Sequence, residues 1–273
     1  MTPFEYLRPA TLDEALQAGA APGAVYLAGG TNLLDLMKIG VALPSRVVDI
    51  TRLPGLDAIE TLPDGATRIG AMVRNAALAR DPGFAVRFPM VAEALLSGAS
   101  AQLRNVATVG GNLLQATRCA YFQDPVAACN RRAPGSGCGA IGGVTAGHAV
   151  LGWTPGCIAT HPSDFCVPLA ALGAVVEIAG ARGKREVALS AFHPLPDDMG
   201  AGPPPLAPGE IVTAIRLPAT AAGYATHSRY LKLRERTSYA FALVSAAAAL
   251  KVEDGRIVEA RLALGGVAAW PWR

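Results

Sequence analysis

Three of the five cysteines of this 273-residue chain lie within residues 117–143, TRCAYFQDPVAACNRRAPGSGCGAIGG. Small, polar and turn-forming residues surround them, whereas a cysteine in a protein core is expected to have apolar neighbours. The segment shows no clear hydrophobic periodicity of the kind that predicts a helix or a strand. With one later cysteine they make a set of four, separated by nine, eight and eighteen residues: Cys119, Cys129, Cys138 and Cys157.

Four thiolates can bind zinc or an iron–sulfur cluster, because both are soft acceptors. No two of these cysteines are spaced as Cys-x-x-Cys, so the set is not a standard zinc ribbon. Nearby glycines would let backbone N–H groups point at bridging sulfides, and Arg118, Arg131 and Arg132 would offset the thiolate charge. The spacing favours a cluster or a metal over free structural cysteines. Cys166 has apolar neighbours at helical spacing and is expected in the core.

Two further segments place a Gly-Gly pair after an extended stretch. Residues 27–34, LAGGTNLL, join a predicted strand to a predicted helix, and residues 104–112, RNVATVGGN, repeat the order of extended chain, hydroxyl and Gly-Gly. Glycine lets the backbone approach a ligand closely, and free N–H groups at a helix start suit an anion such as pyrophosphate. Two such loops favour a phosphate-bearing ligand. The alternative for the first loop is an ordinary strand–turn–helix connection with Thr31 as N-cap.

A Gly-x-Gly-x-x-Gly match, a His-Pro-Ser-Asp turn and four histidines do not by themselves indicate a nucleotide or metal site. Residues 137–142 satisfy Gly-x-Gly-x-x-Gly, but loop-forming residues precede them, so we reject a Rossmann nucleotide site. The turn at residues 161–164, His-Pro-Ser-Asp, is expected to start the following helix through Ser163 or Asp164. The histidines are scattered without metal-binding spacing, so none is expected to be a metal ligand: His148, His161, His193 and His227.

Composition excludes several classes of protein. Apolar residues make up 51% and charged residues 16% of the chain, which suits a folded core and argues against disorder. The net charge of +3 is dispersed, so no nucleic-acid partner is expected. The first residues lack a basic and then an apolar stretch, so we expect no secretion signal on this chain itself. The most apolar run, residues 241–252, is too short to span a bilayer.

Local patterns predict a mixture of helices and strands. A capping box formed by Thr11 and Glu14 predicts a helix start. Residues 104–115 are interpreted as an extended stretch followed by Gly-Gly and then polar residues, and residues 197–210 as a Pro/Gly loop. The sum is an α+β chain, with a composition change near residues 217–225 as the expected domain boundary. Helices are predicted at 11–20, 74–81 and 89–99, strands at 47–50, 66–73, 210–218 and 228–236, and hairpins at 173–192 and 241–268.

The whole chain resembles a known family. AGGTNLLDLMK, RNVATVGGNLLQ, the HPSD turn and the lysine in SRYLKLRER resemble the FAD-binding subunit of the xanthine dehydrogenase/molybdenum hydroxylase family. The segments TRCAYFQDP, ACNRRAPGSGC and GHAVLG narrow the resemblance to the flavin subunits of bacterial periplasmic aldehyde oxidoreductases, which carry a [4Fe-4S] cluster beside FAD. The resemblance implies that Cys119, Cys129, Cys138 and Cys157 hold such a cluster.

The resemblance also implies a fold. It is an FAD-binding (PCMH-type) domain of two α+β subdomains at residues 1–218, with the cluster-binding insert at about 117–160. A smaller C-terminal α+β domain follows at 219–273. Family members continue for some tens of residues with further helices, so we expect this domain to be shortened and one face of its sheet to expose apolar residues.

The resemblance assigns FAD contacts residue by residue. The pyrophosphate would be wrapped by Leu27, Ala28, Gly29, Gly30, Thr31, Asn32, Leu33 and Leu34, with Ala107, Thr108, Gly111 and Asn112 completing the grip. The remaining contacts would be Asp164 at the ribityl–isoalloxazine region, Ile211 or Val212 against the flavin ring, and Lys232 near its polar edge. A cation near the ring suits the negative charge that reduced flavin gains.

Two functions from different classes follow. One is an electron-transfer flavoprotein subunit of a heterotrimer with a [2Fe-2S] subunit and a molybdenum-cofactor subunit, which oxidises aldehydes to carboxylic acids and passes electrons to an external acceptor. It would be periplasmic by co-export with a signal-bearing partner, and otherwise cytoplasmic. The alternative is a zinc-stabilised nucleotide-binding module without redox activity. A covalent flavin oxidase is disfavoured because residues 27–34 contain no histidine or cysteine.

Overall fold

The computed structural model describes residues 1–193 and 205–273. The strands are β1 (Glu5–Leu7), β2 (Ala24–Leu27), β3 (Arg46–Asp49), β4 (Ile59–Thr61), β5 (Thr67–Gly70), β6 (Val175–Gly180), β7 (Gly183–Ala188), β8 (Ile211–Leu217), β9 (Ser228–Leu233), β10 (Val244–Glu253) and β11 (Arg256–Gly265). The helices are α1 (Leu12–Gly19), α2 (Leu33–Lys38), α3 (Asn75–Arg80), α4 (Pro82–Arg87), α5 (Pro89–Ser97), α6 (Ala101–Arg104), α7 (Val109–Leu113), α8 (Ala120–Gln123), α9 (Cys166–Leu172) and α10 (Leu189–Phe192), with a 3-10 helix at Ala219–His227. The predicted α+β class is confirmed.

The strands pair into three sheets. β1, β3 and β2 form a parallel sheet in that order, and β4-β5-β8-β6-β7 form an antiparallel sheet. The order in the third sheet, also antiparallel, is β11-β10-β9. Leu27 pairs with Asp49 where β2 and β3 end. The first Gly-Gly loop therefore leaves the carboxyl edge of a parallel sheet, which is the edge where ligands bind in open α/β sheets.

The predicted helix cap at Thr11 and the two predicted hairpins are confirmed. The Thr11 hydroxyl accepts from the Glu14 N–H at 3.2 Å, and the Glu14 carboxylate accepts from the N–H groups of Ala10 and Thr11. Strands β6/β7 and β10/β11 form the two predicted hairpins. Asp254 and Gly255 turn the second hairpin with φ of 49° and 75°, the left-handed conformations that a tight hairpin turn requires.

The extended stretch predicted before the second Gly-Gly pair is wrong for most of its length, although Thr108 is extended and forms a β-bridge with Arg74. Helix α6 ends at Arg104, and α7 contains the Gly-Gly pair itself. Glycine lowers helix propensity, but the Thr108 hydroxyl caps α7 by accepting from the Gly111 N–H at 3.2 Å. This cap, together with hydrogen bonds from the N–H groups of Val109 and Gly110 to carbonyl groups that follow β5, outweighs the low helix propensity of glycine. Residues 197–204 of the predicted Pro/Gly loop lie outside the described residues.

Helix α9 lies in the centre of the main core. All seven of its residues are buried, and it is apolar on every side, as expected for an enclosed helix. It packs against α5 and against β10 and β11, where Ala247, Ala249 and Ala263 are fully buried and allow close approach. Cys166 opens the helix at 0% exposure, so its predicted place in the core is confirmed.

The outer face of the C-terminal sheet is apolar and exposed, as expected from the sequence. Leu231 and Leu233 of β9 and Leu262 of β11 are 68%, 61% and 54% exposed. The strand register places all three on the same face, opposite the face that packs on α9. Among the described residues, no helix has the length and apolar character needed to cross a membrane.

We expect Leu169→Ala in α9 to lower the free energy of unfolding by about 2–5 kcal/mol, because it leaves a cavity in the core. The matched control is Leu231→Ala on the exposed face, which is expected to change it by less than about 0.5 kcal/mol. Denaturant unfolding of both variants measures the difference. Equal losses in the two variants would show that this assignment of the core and of the exposed face is wrong.

Candidate functional site

A cavity of about 300 Å³ lies at the carboxyl edge of the parallel sheet. The first Gly-Gly loop forms one wall, and the start of β8 forms another. Of the residues predicted to contact a ligand, those that line this cavity are Ala28, Gly29, Gly30, Thr31, Asn32, Leu33, Thr108, Gly111, Ile211 and Val212. The structure therefore brings most of the predicted loop residues together with the predicted ring-packing positions.

The first loop needs its two glycines. A Cβ on Gly29 would lie 2.3 Å from the carbonyl oxygen of Val106, so no larger residue fits without moving the second loop. Gly30 has φ of +71°, a conformation that favours glycine. Within the described ranges, no group accepts a hydrogen bond from the N–H groups of residues 29–32. These N–H groups are free to bind an anion that enters the cavity.

The second loop contributes differently from the prediction. The N–H groups of Val109 and Gly110 donate to the carbonyl oxygens of Val73 and Ala71, both at 2.9 Å. The Gly111 N–H is taken by the Thr108 cap. The two loops are therefore not equivalent: the second forms part of the wall, while the first supplies the unpaired donors.

Four predicted contact residues lie beside this cavity and are not among the described residues of its wall: Leu27, Leu34, Ala107 and Asn112. The side chain of Asn112 instead accepts from the Ser163 hydroxyl at 2.8 Å. That hydroxyl also accepts from the Cys166 N–H at 3.2 Å, so Ser163 caps α9 as the sequence predicted. Asn112 thus ties the second loop to the turn before α9.

Asp164 and Lys232 form a buried ion pair. The Lys232 ammonium lies 2.8 Å from the Asp164 carboxylate, and the two side chains are 3% and 9% exposed. The Tyr230 hydroxyl donates to the same carboxylate at 2.6 Å, and Lys232 also donates to the Ser97 carbonyl at 3.2 Å. Burial and the neighbouring Asp164 charge raise the pKa of Tyr230 well above its ordinary value, so it remains a donor. No sequence pattern indicated a role for Tyr230.

Two more cavities continue from the first. A cavity of about 210 Å³ shares Leu114 and Ala116 with it. A third, of about 420 Å³, shares Thr117 and His161 with the second and reaches Asp164. Lys232 is not among the described residues that line any of these cavities, because its ammonium is turned toward Asp164 and Ser97. The three cavities are therefore neighbours that share wall residues, from the Gly-Gly loop to Asp164.

All four cysteines of the insert border one small enclosed space, and none forms a disulfide. Cys129 and Cys138 are joined by an antiparallel β-bridge. No three of the four sulfur atoms lie within 4.8 Å of one another. Burial raises the pKa of Cys119 and of Cys157, and the Arg131 charge opposes this at Cys157. The free volume is only about 10 Å³.

The three arginines near the cysteines have separate roles. Arg131 borders both the cysteine space and the 210 Å³ cavity, so it alone matches the predicted role of balancing thiolate charge. Arg132 donates to the carbonyl oxygens of Tyr121 and Phe122 at 3.0 and 2.8 Å, which holds the insert together. Arg118 lies over the Phe241 ring, 4.9 Å from its centroid, in the wall of the third cavity.

Histidines approach sulfur in two places that the sequence did not predict. The Nε2 atom of His148 lies 3.2 Å from the Sγ atom of Cys119. Ligand atoms of His161, His193 and Cys166 all lie within 4.8 Å of one another. Burial lowers the pKa of both His161 and His193, so these imidazoles are neutral. The sequence spacing did not indicate either contact, because the partners are distant in sequence and meet only in the fold; the expectation that no histidine is a metal ligand stays a prediction.

Comparison with known proteins agrees with this geometry. The chain is 48% identical to "Aldehyde oxidoreductase FAD-binding subunit PaoB" of Escherichia coli strain K12, covering 100% of the chain and 84% of the relative. A solved structure of reconstituted CO dehydrogenase from Oligotropha carboxidovorans matches with a TM-score of 0.74 at 27% identity, covering 100% of this chain and 78% of that one. Quinoline 2-oxidoreductase from Pseudomonas putida 86 matches with a TM-score of 0.72 at 28% identity, covering 99% and 76%.

Family models cover nearly all of the chain. The model described as the FAD binding domain in molybdopterin dehydrogenase matches residues 2–220. The model of the CO dehydrogenase flavoprotein C-terminal domain matches residues 229–273. This chain therefore belongs to the FAD-binding subunits of the molybdopterin-dependent dehydrogenases, a family of flavin-dependent oxidoreductase subunits.

Proposed function

We propose that this chain is the FAD- and [4Fe-4S]-binding electron-transfer subunit of a molybdenum-containing aldehyde oxidoreductase. The 48% identical relative is named as an aldehyde oxidoreductase subunit, which supports the substrate class. The family description names FAD and no cluster, so the cluster rests on residues of this chain. The observation that carries it is the arrangement of four reduced cysteines around one space.

The site residues fit FAD. The unpaired N–H groups of residues 29–32 would hold the pyrophosphate, and Ile211 or Val212 would pack against the ring. When bound, FAD supplies a redox centre that exchanges electrons with other centres. Asp164 lines the 420 Å³ cavity, whereas the Lys232 ammonium pairs with Asp164 and, among the described residues, lines none of the three cavities, so the carboxylate is the member of the pair that would face the ligand.

The cysteine geometry fits a four-iron cluster better than one zinc ion. Zinc–sulfur bonds of about 2.3 Å in a tetrahedron bring every pair of sulfurs to within about 3.8 Å. The four sulfurs here include no group of three within 4.8 Å of one another. A cluster holds each thiolate on a different iron and so needs the wider spacing.

The partners are proposed from the same resemblance. Relatives of this chain include medium chains of carbon monoxide dehydrogenase and glyceraldehyde dehydrogenase, and these names indicate assemblies of several chains. We expect a [2Fe-2S] subunit and a molybdenum-cofactor subunit to complete a heterotrimer here. Periplasmic location by co-export with a signal-bearing partner is also proposed. Fractionation of cells that express the chain with and without its partners would test the location.

The first prediction of this function concerns iron. Anaerobically purified protein should contain flavin and about four irons per chain, and Cys129→Ala should lose the iron while keeping the flavin. Cys166→Ala is the matched control, because Cys166 lies in the core and should leave the iron unchanged. Visible absorption with iron, zinc and flavin analysis measures this. Colourless protein with one zinc would instead support the nucleotide-binding module.

The second prediction concerns the flavin loop. Gly29→Ala should weaken FAD binding by about tenfold or more, because its Cβ would push against the Val106 carbonyl and distort the loop. Gly223→Ala is the control, since Gly223 is exposed and lines none of the three cavities, and among the described residues its added Cβ would meet only the Lys251 Cε atom at an ordinary 3.6 Å. FAD titration of the apoprotein, with circular dichroism to check folding, gives the result. Unchanged FAD affinity in Gly29→Ala would contradict the assignment of this loop.

The third prediction concerns the buried ion pair. Lys232→Met should lower the free energy of unfolding by about 3–5 kcal/mol, because it leaves the Asp164 carboxylate buried and unpaired. Removing both charges in Asp164→Asn with Lys232→Met should recover part of this loss. Denaturant unfolding of the single and double variants measures the coupling. If the two losses simply add, the residues do not interact as described.

A further inference from the structure

His148 makes a contact with Cys119 that the family description and the motifs do not explain. Its Nε2 atom lies 3.2 Å from the cysteine Sγ atom. Both residues border the space enclosed by the four cysteines. A ring nitrogen at this distance from sulfur is within hydrogen-bonding range, so the contact is polar and not only steric.

The backbone fixes the position of His148. Its N–H donates to the Thr145 carbonyl at 2.9 Å, and the next N–H, that of Ala149, donates to the Ile158 carbonyl at 2.8 Å. The second bond ties the histidine segment to the chain just after Cys157. The ring lies beside Tyr121, with 6.3 Å between the centroids. The imidazole is thus held against the cysteine space from two directions.

The ring has one polar partner among the described residues. Its Nδ1 atom is buried and has no hydrogen-bond partner there, so the polar contact of the imidazole is the one with the Cys119 sulfur. A cysteine thiolate accepts hydrogen bonds and cannot donate one. As a cluster ligand Cys119 would be a thiolate, and the tautomer that satisfies the contact would then carry its proton on Nε2 and donate it to the sulfur.

Cys119 differs from the other three cysteines in its surroundings. It borders the cysteine space and also the 420 Å³ cavity that reaches Asp164, and His148 borders both as well. Cys129, Cys138 and Cys157 do not line that cavity among the described residues. The contact therefore sits on the side of the insert that faces the proposed flavin site.

We propose that His148 is a positioning residue that donates an N–H···S hydrogen bond to the Cys119 thiolate and raises the reduction potential of the [4Fe-4S] cluster. The inference rests on the proposed function, because it needs the cluster. A donor to a ligand sulfur stabilises the cluster more after it gains an electron, when the sulfur carries more negative charge. Four cysteines complete the ligand set, so the histidine tunes the cluster without ligating it.

The test compares two substitutions at this position in the full chain. His148→Leu removes the donor, while His148→Gln keeps an N–H donor at nearly the position of Nε2. His227→Leu is the matched control, because His227 is exposed at the end of the 3-10 helix and, in the described part of the chain, its side chain bonds only its neighbour Thr226. Iron and flavin content are measured first, and then the cluster potential by redox titration followed by electron paramagnetic resonance.

We expect His148→Leu to retain about four irons and to shift the reduction equilibrium about tenfold toward the oxidised cluster, which is about 59 mV for one electron. His148→Gln should restore most of the shift, and His227→Leu should show none. Loss of iron in His148→Leu would overturn the inference and indicate a ligand. An unchanged potential would overturn it too. Absence of iron from the unaltered protein would instead defeat the proposed cluster itself.

Discussion

The buried ion pair between Asp164 and Lys232 is the interaction on which the arrangement of the site depends. Asp164 precedes α9, and Lys232 lies in β9, so the pair joins the turn beside the cleft to the C-terminal sheet. Burying two charges costs more than their attraction returns unless further hydrogen bonds complete them. Tyr230 and the Ser97 carbonyl supply those bonds. The pair therefore favours one relative placement of helix and sheet. Residues before the helix and residues of the C-terminal region both line the 420 Å³ cavity, so this placement sets its shape.

Sequence reasoning succeeded where structure is decided locally. The capping box at Thr11 and the hairpin turn at Asp254-Gly255 involve residues within a few positions of each other, so their chemistry is readable in the chain. It failed for residues 104–115. There the Thr108 cap and hydrogen bonds to the carbonyls of Val73 and Ala71 favour a helix that propensity disfavours. Partners more than thirty residues away carry no local pattern.

The site shows the same division. Residues 27–34 could be assigned from glycine chemistry and resemblance, and most of them do line the cavity. The unequal roles of the two Gly-Gly loops could not be predicted from the sequence. They depend on which backbone N–H groups donate to carbonyl groups that are distant in the chain. The sequence also did not predict that His148 approaches Cys119, 29 positions away, or that His161 approaches His193. These contacts arise from the folding of a segment that has little regular structure.

The exposed leucines of the C-terminal sheet affect how the chain behaves in solution. Leu231, Leu233 and Leu262 stand on one face, and apolar area of this kind drives association when nothing covers it. Such association weakens on cooling and strengthens with sulfate or phosphate salts. Association through this face would involve residues that line neither the Gly-Gly cavity nor the cysteine space, so we expect salt and temperature to change association without altering the cofactor sites.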